Sequence, residues 1–308
     1  MKKTKQLFRL LALLLCLVTL PAFAGAEAAK APVTLLIAEE STLPLPQAEG
    51  FYLYVMPLLG ADCMLLHNEG QWMLVDMGKR GDYPTIKQHL DRLGVDKIDI
   101  AFNTHPHSDH IGAMREIADD YPVGRFITVY SEKITGPSIL QRPVLAHLQQ
   151  AGVPIERMDN GSEFTFGAAR VQVIKTGHNN VNGSSAVLKI TYKDTSFLLA
   201  ADITRQAQNR LNINDAAVLD ADVFKYPHHA QEKLDAGFTE AVSPLFALIT
   251  HGSKNSAEGQ KWLNRYGVPY KFASWGIITV VSDGQQITVY QELTEEGKGF
   301  AERFVPQK

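Results

Sequence analysis

Cysteine is nearly absent: Cys16 and Cys63 are the only two in 308 residues. Cys16 sits in an apolar run close to the N-terminus. If that run is removed on export, Cys63 has no intrachain partner, which excludes a disulfide framework even in an oxidising compartment. Cys63 then reads as a small buried hydrophobe. No stretch repeats at a solenoid or propeller period and no tract is of low complexity, so repeat arrays and flexible spacers are excluded. Positive charge is not in excess either, with 30 Lys and Arg against 33 Asp and Glu. Such a chain has no general attraction to nucleic acid, and a long nucleic acid is disfavoured as a partner.

The apolar run itself is organised. Lys2, Lys3, Lys5 and Arg9 precede Leu10–Leu20, and both Ala22-Phe23-Ala24 and Ala24-Gly25-Ala26 fit a small-residue cleavage site. This pattern is that of a secretory signal peptide over residues 1–24, and the run is short for a membrane span. Export to the periplasm, cell surface or medium follows, with no stable membrane span after processing. Losing residues 1–24 leaves 26 basic against 33 acidic residues, a net of −7. Residues 25–50, with Leu43-Pro44-Leu45-Pro46, read as an extended lead-in carrying one short strand near Val33–Ile37. Residues 51–308 are long enough for one large domain with a substantial core.

The chemistry concentrates in Asn103-Thr104-His105-Pro106-His107-Ser108-Asp109-His110-Ile111-Gly112. Three histidines and a carboxylate fall within six residues, between the apolar run Ile98–Phe102 and a helical pattern through Ile111, Met114, Ile117 and Ala118. His105 and His107, two apart in an extended loop, can converge on one point. Asp109 stands where the loop turns into a helix, a position that favours a carboxylate, and Asp109 and His110 diverge from the first pair. The arrangement suits two divalent ions a few ångströms apart.

This H-x-H-x-D-H stretch, with Thr104 before it and Gly112 after, resembles the signature of the metallo-β-lactamase fold. Later segments resemble one branch, related to the hydrolase domain of the DNA-uptake competence protein ComEC. They are Asn182-Gly183-Ser184-Ser185-Ala186-Val187, the apolar strand ending in Leu199-Ala200-Ala201-Asp202, and Asp222-Val223-Phe224-Lys225-Tyr226-Pro227-His228-His229. The resemblance runs from about Phe51 to Gln291. It implies an α/β (α+β) fold, a four-layer αββα sandwich of two mixed sheets with helices outside.

It also implies a ligand set for two divalent ions: His105, His107, Asp109, His110, His178, Asp202 and His228. Asp202 would bridge the ions, and His178 would complete the first, although the ComEC-like branch often lacks that ligand. Zinc suits the histidines, and manganese or iron would be held by the same set. Asp76, in Asp76-Met77-Gly78, resembles the carboxylate beneath the ions that receives the outer N–H of a ligating histidine. Asp109, His229 and His251 are candidates for the chemistry itself, His251 as a proton donor or else as a strand-end histidine. Asn182, Ser184 and Ser185 either bind substrate oxygens or cap a turn. His147 lacks ligand-type neighbours and reads as a surface residue.

The activity so implied is that of a secreted metal-dependent hydrolase whose metal-held hydroxide attacks a phosphodiester, in a small molecule or a wall-linked phosphoester. A carbon-ester, lactone or β-lactam hydrolase on the same centre is the alternative enzyme. A metal-loaded binding protein is the other class, because Ala230-Gln231 replaces the branch's Gly-Ser and removes a permissive glycine and a hydroxyl from the rim.

Overall fold

Strands that are buried on both faces dictate the layering. The computed structural model describes residues 32–38 and 42–306; the expected signal peptide lies outside them. In chain order the strands are β1 (Thr34–Ile37), β2 (Phe51–Val55), β3 (Met64–Asn68), β4 (Gln71–Val75), β5 (Ile98–Asn103), β6 (Val123–Thr128), β7 (Ile155–Arg157), β8 (Glu163–Phe166), β9 (Ala169–Ile174), β10 (Val187–Tyr192), β11 (Thr195–Leu199), β12 (Val223–Lys225), β13 (Phe246–Ile249), β14 (Tyr270–Phe272), β15 (Gly276–Ser282) and β16 (Gln286–Leu293). They form two mixed sheets, ordered β1-β16-β15-β2-β3-β4-β5-β6-β7 and β14-β13-β12-β11-β10-β9-β8.

Alternation along each strand builds three apolar layers. Leu53, Val55, Leu66 and Phe102 of the first sheet pack between the sheets with Val171, Leu188, Phe197 and Leu248 of the second. Their neighbours Tyr54, Leu65 and Ala101 face outward, under Ile86, Leu90, Met114, Ile117 and Leu148 of the flanking helices. On the far side Leu198, Phe224 and Ala247 lie beneath Leu211, Phe238 and Leu263. Each buried Val, Leu, Ile, Phe or Met among them contributes roughly 1.5–3 kcal/mol by leaving water. The αββα sandwich expected from the sequence is therefore the observed fold.

Turn chemistry fixes the registers. Glu69 and Gly70 both have positive φ, so β3 and β4 are joined by a two-residue turn of the kind that matches strand twist. The short strand of the lead-in forms as β1 and pairs in parallel with β16 at the sheet edge. Helices differ more from expectation. The segment after the histidine loop is two helices, Ser108–Ile111 and Met114–Asp120, because Gly112 passes close to another backbone segment. A long helix, Arg205–Leu219, follows β11, and Ala236–Val242 and Glu295–Arg303 are further helices.

The parallel strands matter most. β4, β5 and β6 run parallel in one sheet, and β11, β12 and β13 in the other. Asp76, the loop from Thr104, Asp202, the turn at His228-His229 and Thr250 all follow the carboxyl ends of these strands. That is where ligand sites form in sheets of this kind.

Candidate metal centre

The first half of the centre hangs from one carboxylate. Asp76 is fully buried just beyond β4, in a left-handed conformation with φ 56°. One of its oxygens accepts from the Thr104 backbone N–H at 2.8 Å and the Asn103 amide at 3.1 Å. The other accepts from the Thr104 hydroxyl at 2.7 Å and pairs with His110 Nδ1 at 2.7 Å. With its hydroxyl proton given to Asp76, Thr104 offers a lone pair to His105 Nδ1, 3.1 Å away. Both histidines are thereby set with Nδ1 outward and Nε2 pointing into the site.

The second half comes from the other sheet. Ala201, at φ 44°, turns the chain after β11 so that Asp202 points back between the sheets. The Asp202 backbone N–H donates to Ser185 Oγ at 3.3 Å. After Pro227 the residues His228, His229 and Ala230 take φ of 51°, 53° and 62°. Successive left-handed non-glycine residues cost about 1–3 kcal/mol each, and such strain gathers at functional sites. The turn sends the two rings in different directions. His229 is buried, its Nδ1 lying 3.0 Å from Thr250 Oγ1 and 3.2 Å from Asp62 Oδ1. His228 stays at the rim, with Nδ1 3.0 Å from Glu232 Oε1.

The halves meet at Asp202 Oδ2. His110 Nε2 lies 3.3 Å from it, His229 Nε2 3.6 Å and His105 Nε2 3.9 Å; His229 Nε2 is also 3.5 Å from Asp109 Oδ2. Ligand atoms of Asp109, His110, Asp202 and His229 all fall within 4.8 Å of one another. The Nε2 atoms of His105, His110 and His229 are buried and have no hydrogen-bond partner. Buried nitrogens left bare are costly, and three lone pairs converging on a carboxylate make the donor set of a cation site. The cluster therefore fits a dinuclear metal site. His107, half-buried, stands beside His105 with ring centroids 4.8 Å apart, and Asn182 lies across the opening with its Nδ2 3.4 Å from His228 Nε2.

The electrostatics agree. Burial alone would drive protons off His110 and His229, yet Asp202 with Asp76 holds His110 well above its ordinary value, and Asp202 with Asp62 lifts His229 to about 9. Burial opposes ionisation of Asp109, but His229, whose Nε2 lies 3.5 Å away, and His110 after it, keep its pKa down at about 2. This negative potential draws protons when nothing else is bound, and a dication would displace them.

Several expected residues are placed otherwise. His229 takes the buried position foreseen for His228, because the left-handed turn after Pro227 aims the second ring inward. His178 is outside the cluster: its Nε2 meets Gln206 Oε1 at 3.1 Å, and its loop turns it outward. His251 lies behind His229, ring centroids 6.4 Å apart. Its Nδ1 accepts from the Gly252 N–H, its Nε2 is 3.1 Å from the Asn255 amide, and burial pushes its pKa down to about 4. A ring so engaged stays neutral at neutral pH, with its one proton on Nε2 toward Asn255, and is not the imidazolium that a proton donor would need. Ser184 Oγ pairs with Tyr130 OH and Asn180 O, and Ser185 Oγ with Asn182 O. Both serines brace the loop and do not face a ligand. Asn182 does line the opening, a cavity of about 320 Å³ shared with Lys79, His107, Asp109, Asp202 and His228. His147 pairs with Asp119 at the surface.

Two residues were overlooked. Asp62 and Lys225 are absent from the ligand set that the resemblance implies. Both are fully buried and form an ion pair with each other. A lone lysine in the apolar run Val223-Phe224-Lys225-Tyr226 was the available signal.

Comparison with known proteins agrees with this fold. The family model described as Metallo-beta-lactamase superfamily matches residues 56–242. Among solved structures, the metallo-beta-lactamase fold protein YhfI from Bacillus subtilis superposes with TM-score 0.51 at 12% identity, over 75% of this chain and 100% of that one. CmlA, a diiron beta-hydroxylase from Streptomyces venezuelae, gives TM-score 0.50 at 14% identity over 74% of this chain, which spans 53% of that protein's length. At such identities the likeness is one of fold. A search among curated proteins gave no match.

Proposed function

This chain belongs to the metallo-beta-lactamase superfamily, and from that premise we propose that it is an exported metal-dependent hydrolase of phosphodiesters, of the ComEC-like branch. The observation that carries the metal-dependent part is the set of unpartnered Nε2 atoms of His105, His110 and His229 around Asp202 Oδ2. On this reading Asp109, His110, His229 and Asp202 hold one ion, and His105, His107 and Asp202 hold the other. Bound there, two divalent ions supply Lewis acidity and lower the pKa of a water to the neutral range.

The remaining work falls to the protein. Asp76, Thr104, Asp62 and Thr250 keep each ring in the tautomer that presents Nε2. Asn182 and His228 line the mouth with groups able to donate to a substrate oxygen, and Lys79 adds a positive charge at the same cavity. A phosphoryl group passing through a more highly charged transition state gains from such a rim. Asp202, which lies between the two donor sets, would hold them at a fixed separation. The resemblance of Asn182–Val187 and Lys225–His229 to the phosphodiester-linked branch supports the substrate class. The mature net charge favours a small or wall-linked phosphodiester over long nucleic acid.

The test is a comparison of kcat/KM on a chromogenic phosphodiester, a lactone and a β-lactam, with the protein loaded with zinc and then with manganese. Faster turnover of the phosphodiester is expected. A preference for the β-lactam or lactone would overturn the substrate class. Bound metal without turnover of any of the three would favour a binding protein.

A further inference from the structure

Lys225 is the only lysine or arginine in the interior among the described residues, with no exposed surface. It ends β12, the strand that β11 and β13 flank, so its ammonium cannot reach water. Its Nζ donates to the Ala201 carbonyl at 2.8 Å, pairs with Asp62 Oδ2, and lies 3.7 Å from Asp202 Oδ1. Asp202 is thus shared: Oδ1 faces an ammonium built into the chain, and Oδ2 faces three bare imidazole nitrogens. Asp62 is divided in the same way between Lys225 and His229 Nδ1. Asp62, Asp76 and Asp202 bring three carboxylates into one water-free space, with Asp109 at its edge. In the metal-free protein His110 and His229 face this group from one side, and only Lys225 faces Asp62 Oδ2 and Asp202 Oδ1 from the other; burying a charge without such a partner costs several kcal/mol.

We propose that Lys225 is a resident counter-cation that lets the centre fold before any metal arrives. The inference rests on reading the cluster as a metal site. Lys225 neutralises Asp62 and Asp202 in the metal-free protein and holds Asp202 with Oδ2 turned toward the histidines. Once dications enter, the same ammonium repels them across a single carboxylate. Lys225 and metal are therefore rival partners of Asp202, and their coupling is reciprocal. Each weakens the contribution of the other. A purely structural lysine would stabilise metal-free and metal-loaded protein equally.

The experiment measures zinc affinity, by competition with a chelating dye, and thermal melting with and without zinc, for the wild-type protein and Lys225→Met. Methionine keeps the length of the stem and removes the charge. The melting temperature of the metal-free variant should fall by more than that of the zinc-loaded variant, and zinc should bind more tightly, by about 5–150-fold if the coupling is of ordinary size. If metal-free Lys225→Met does not fold, zinc should restore it. Equal falls with and without zinc, or weaker zinc binding, would overturn the proposal. If zinc fails to restore an unfolded variant, Asp62→Asn/Lys225→Met decides. Removing both charges should recover metal-free folding, and a double variant as unfolded as the single one counts against the counter-cation. Wild-type protein that takes up no zinc would instead defeat the metal-site reading itself, and this proposal with it.

Discussion

The two sheets contribute to the centre in opposite ways. The nine-stranded sheet supplies one contiguous loop, in which Thr104, His105, His107, Asp109 and His110 fall within seven residues and hang from Asp76. The seven-stranded sheet supplies Asp202, Lys225 and His229 from separate connections, each aimed by local backbone: Ala201 and His229 are left-handed, and Lys225 closes a buried strand. A contiguous loop keeps its donors together whatever its neighbours do. A dispersed set holds together only while the sheet that carries it is correctly packed. The second half should therefore be the more sensitive to charge and to turn geometry.

Removing the residue where the halves meet should have the largest effect. Asp202→Ala should lose bound metal and abolish hydrolysis, as read by elemental analysis and turnover; metal content equal to wild type would remove Asp202 from the bridge. Next come the two buried supports. Asp62→Asn leaves Lys225 without its nearest anion, and should cost about 3–5 kcal/mol of metal-free stability in denaturant titrations. Asp76→Asn should act mainly on the metal, lowering affinity by about 10–100-fold through the orientation of His110. If Asp76→Asn proves the more destabilising, the contrast between the halves fails.

A smaller effect belongs to His251, behind the second half. In the unfolded chain its imidazole takes a proton near the ordinary 6.5, whereas in the fold it does so only near 4. Its neutral burial therefore stabilises fully above about pH 6.5, and that contribution is lost as the pH falls toward 4. The wild-type protein should lose more stability over that window than His251→Gln, measured by melting at pH 7 and pH 4.5; parallel losses would contradict the buried neutral ring. The least effect is expected away from both halves. His178→Ala should leave metal content unchanged, and His147→Ala should move stability by no more than about 0.5 kcal/mol.

The same contrast explains what could be read in advance. The layered sandwich was legible through the resemblance of the H-x-H-x-D-H stretch and the later segments to the metallo-β-lactamase fold. So was the loop from His105 to His110, whose spacing is itself the geometry. Which of His228 and His229 faces inward was not legible, since it depends on positive φ at residues that give no sign of adopting it. His178 was expected as a ligand from the family resemblance, but its outward turn accompanies the hydrogen bonds of its own N–H to Thr176 Oγ1 and of the Asn180 N–H to its Nδ1. Asp62 and Lys225 are 163 positions apart. Their pairing arises only when β12 is laid down beside β11 opposite the first sheet, and no periodicity reports that. The helix Ala236–Val242 escaped because it is only seven residues long, too short for a clear period.

The assignment of donors is the central claim, and the paired histidines test it most directly. Metal content should be measured on His229→Ala and His228→Ala, purified alike and loaded with zinc under the same conditions. His229→Ala should lose at least one ion per chain, while His228→Ala should keep the wild-type content and lose only turnover. The reverse result, with metal lost from His228→Ala and kept in His229→Ala, would contradict the centre described here.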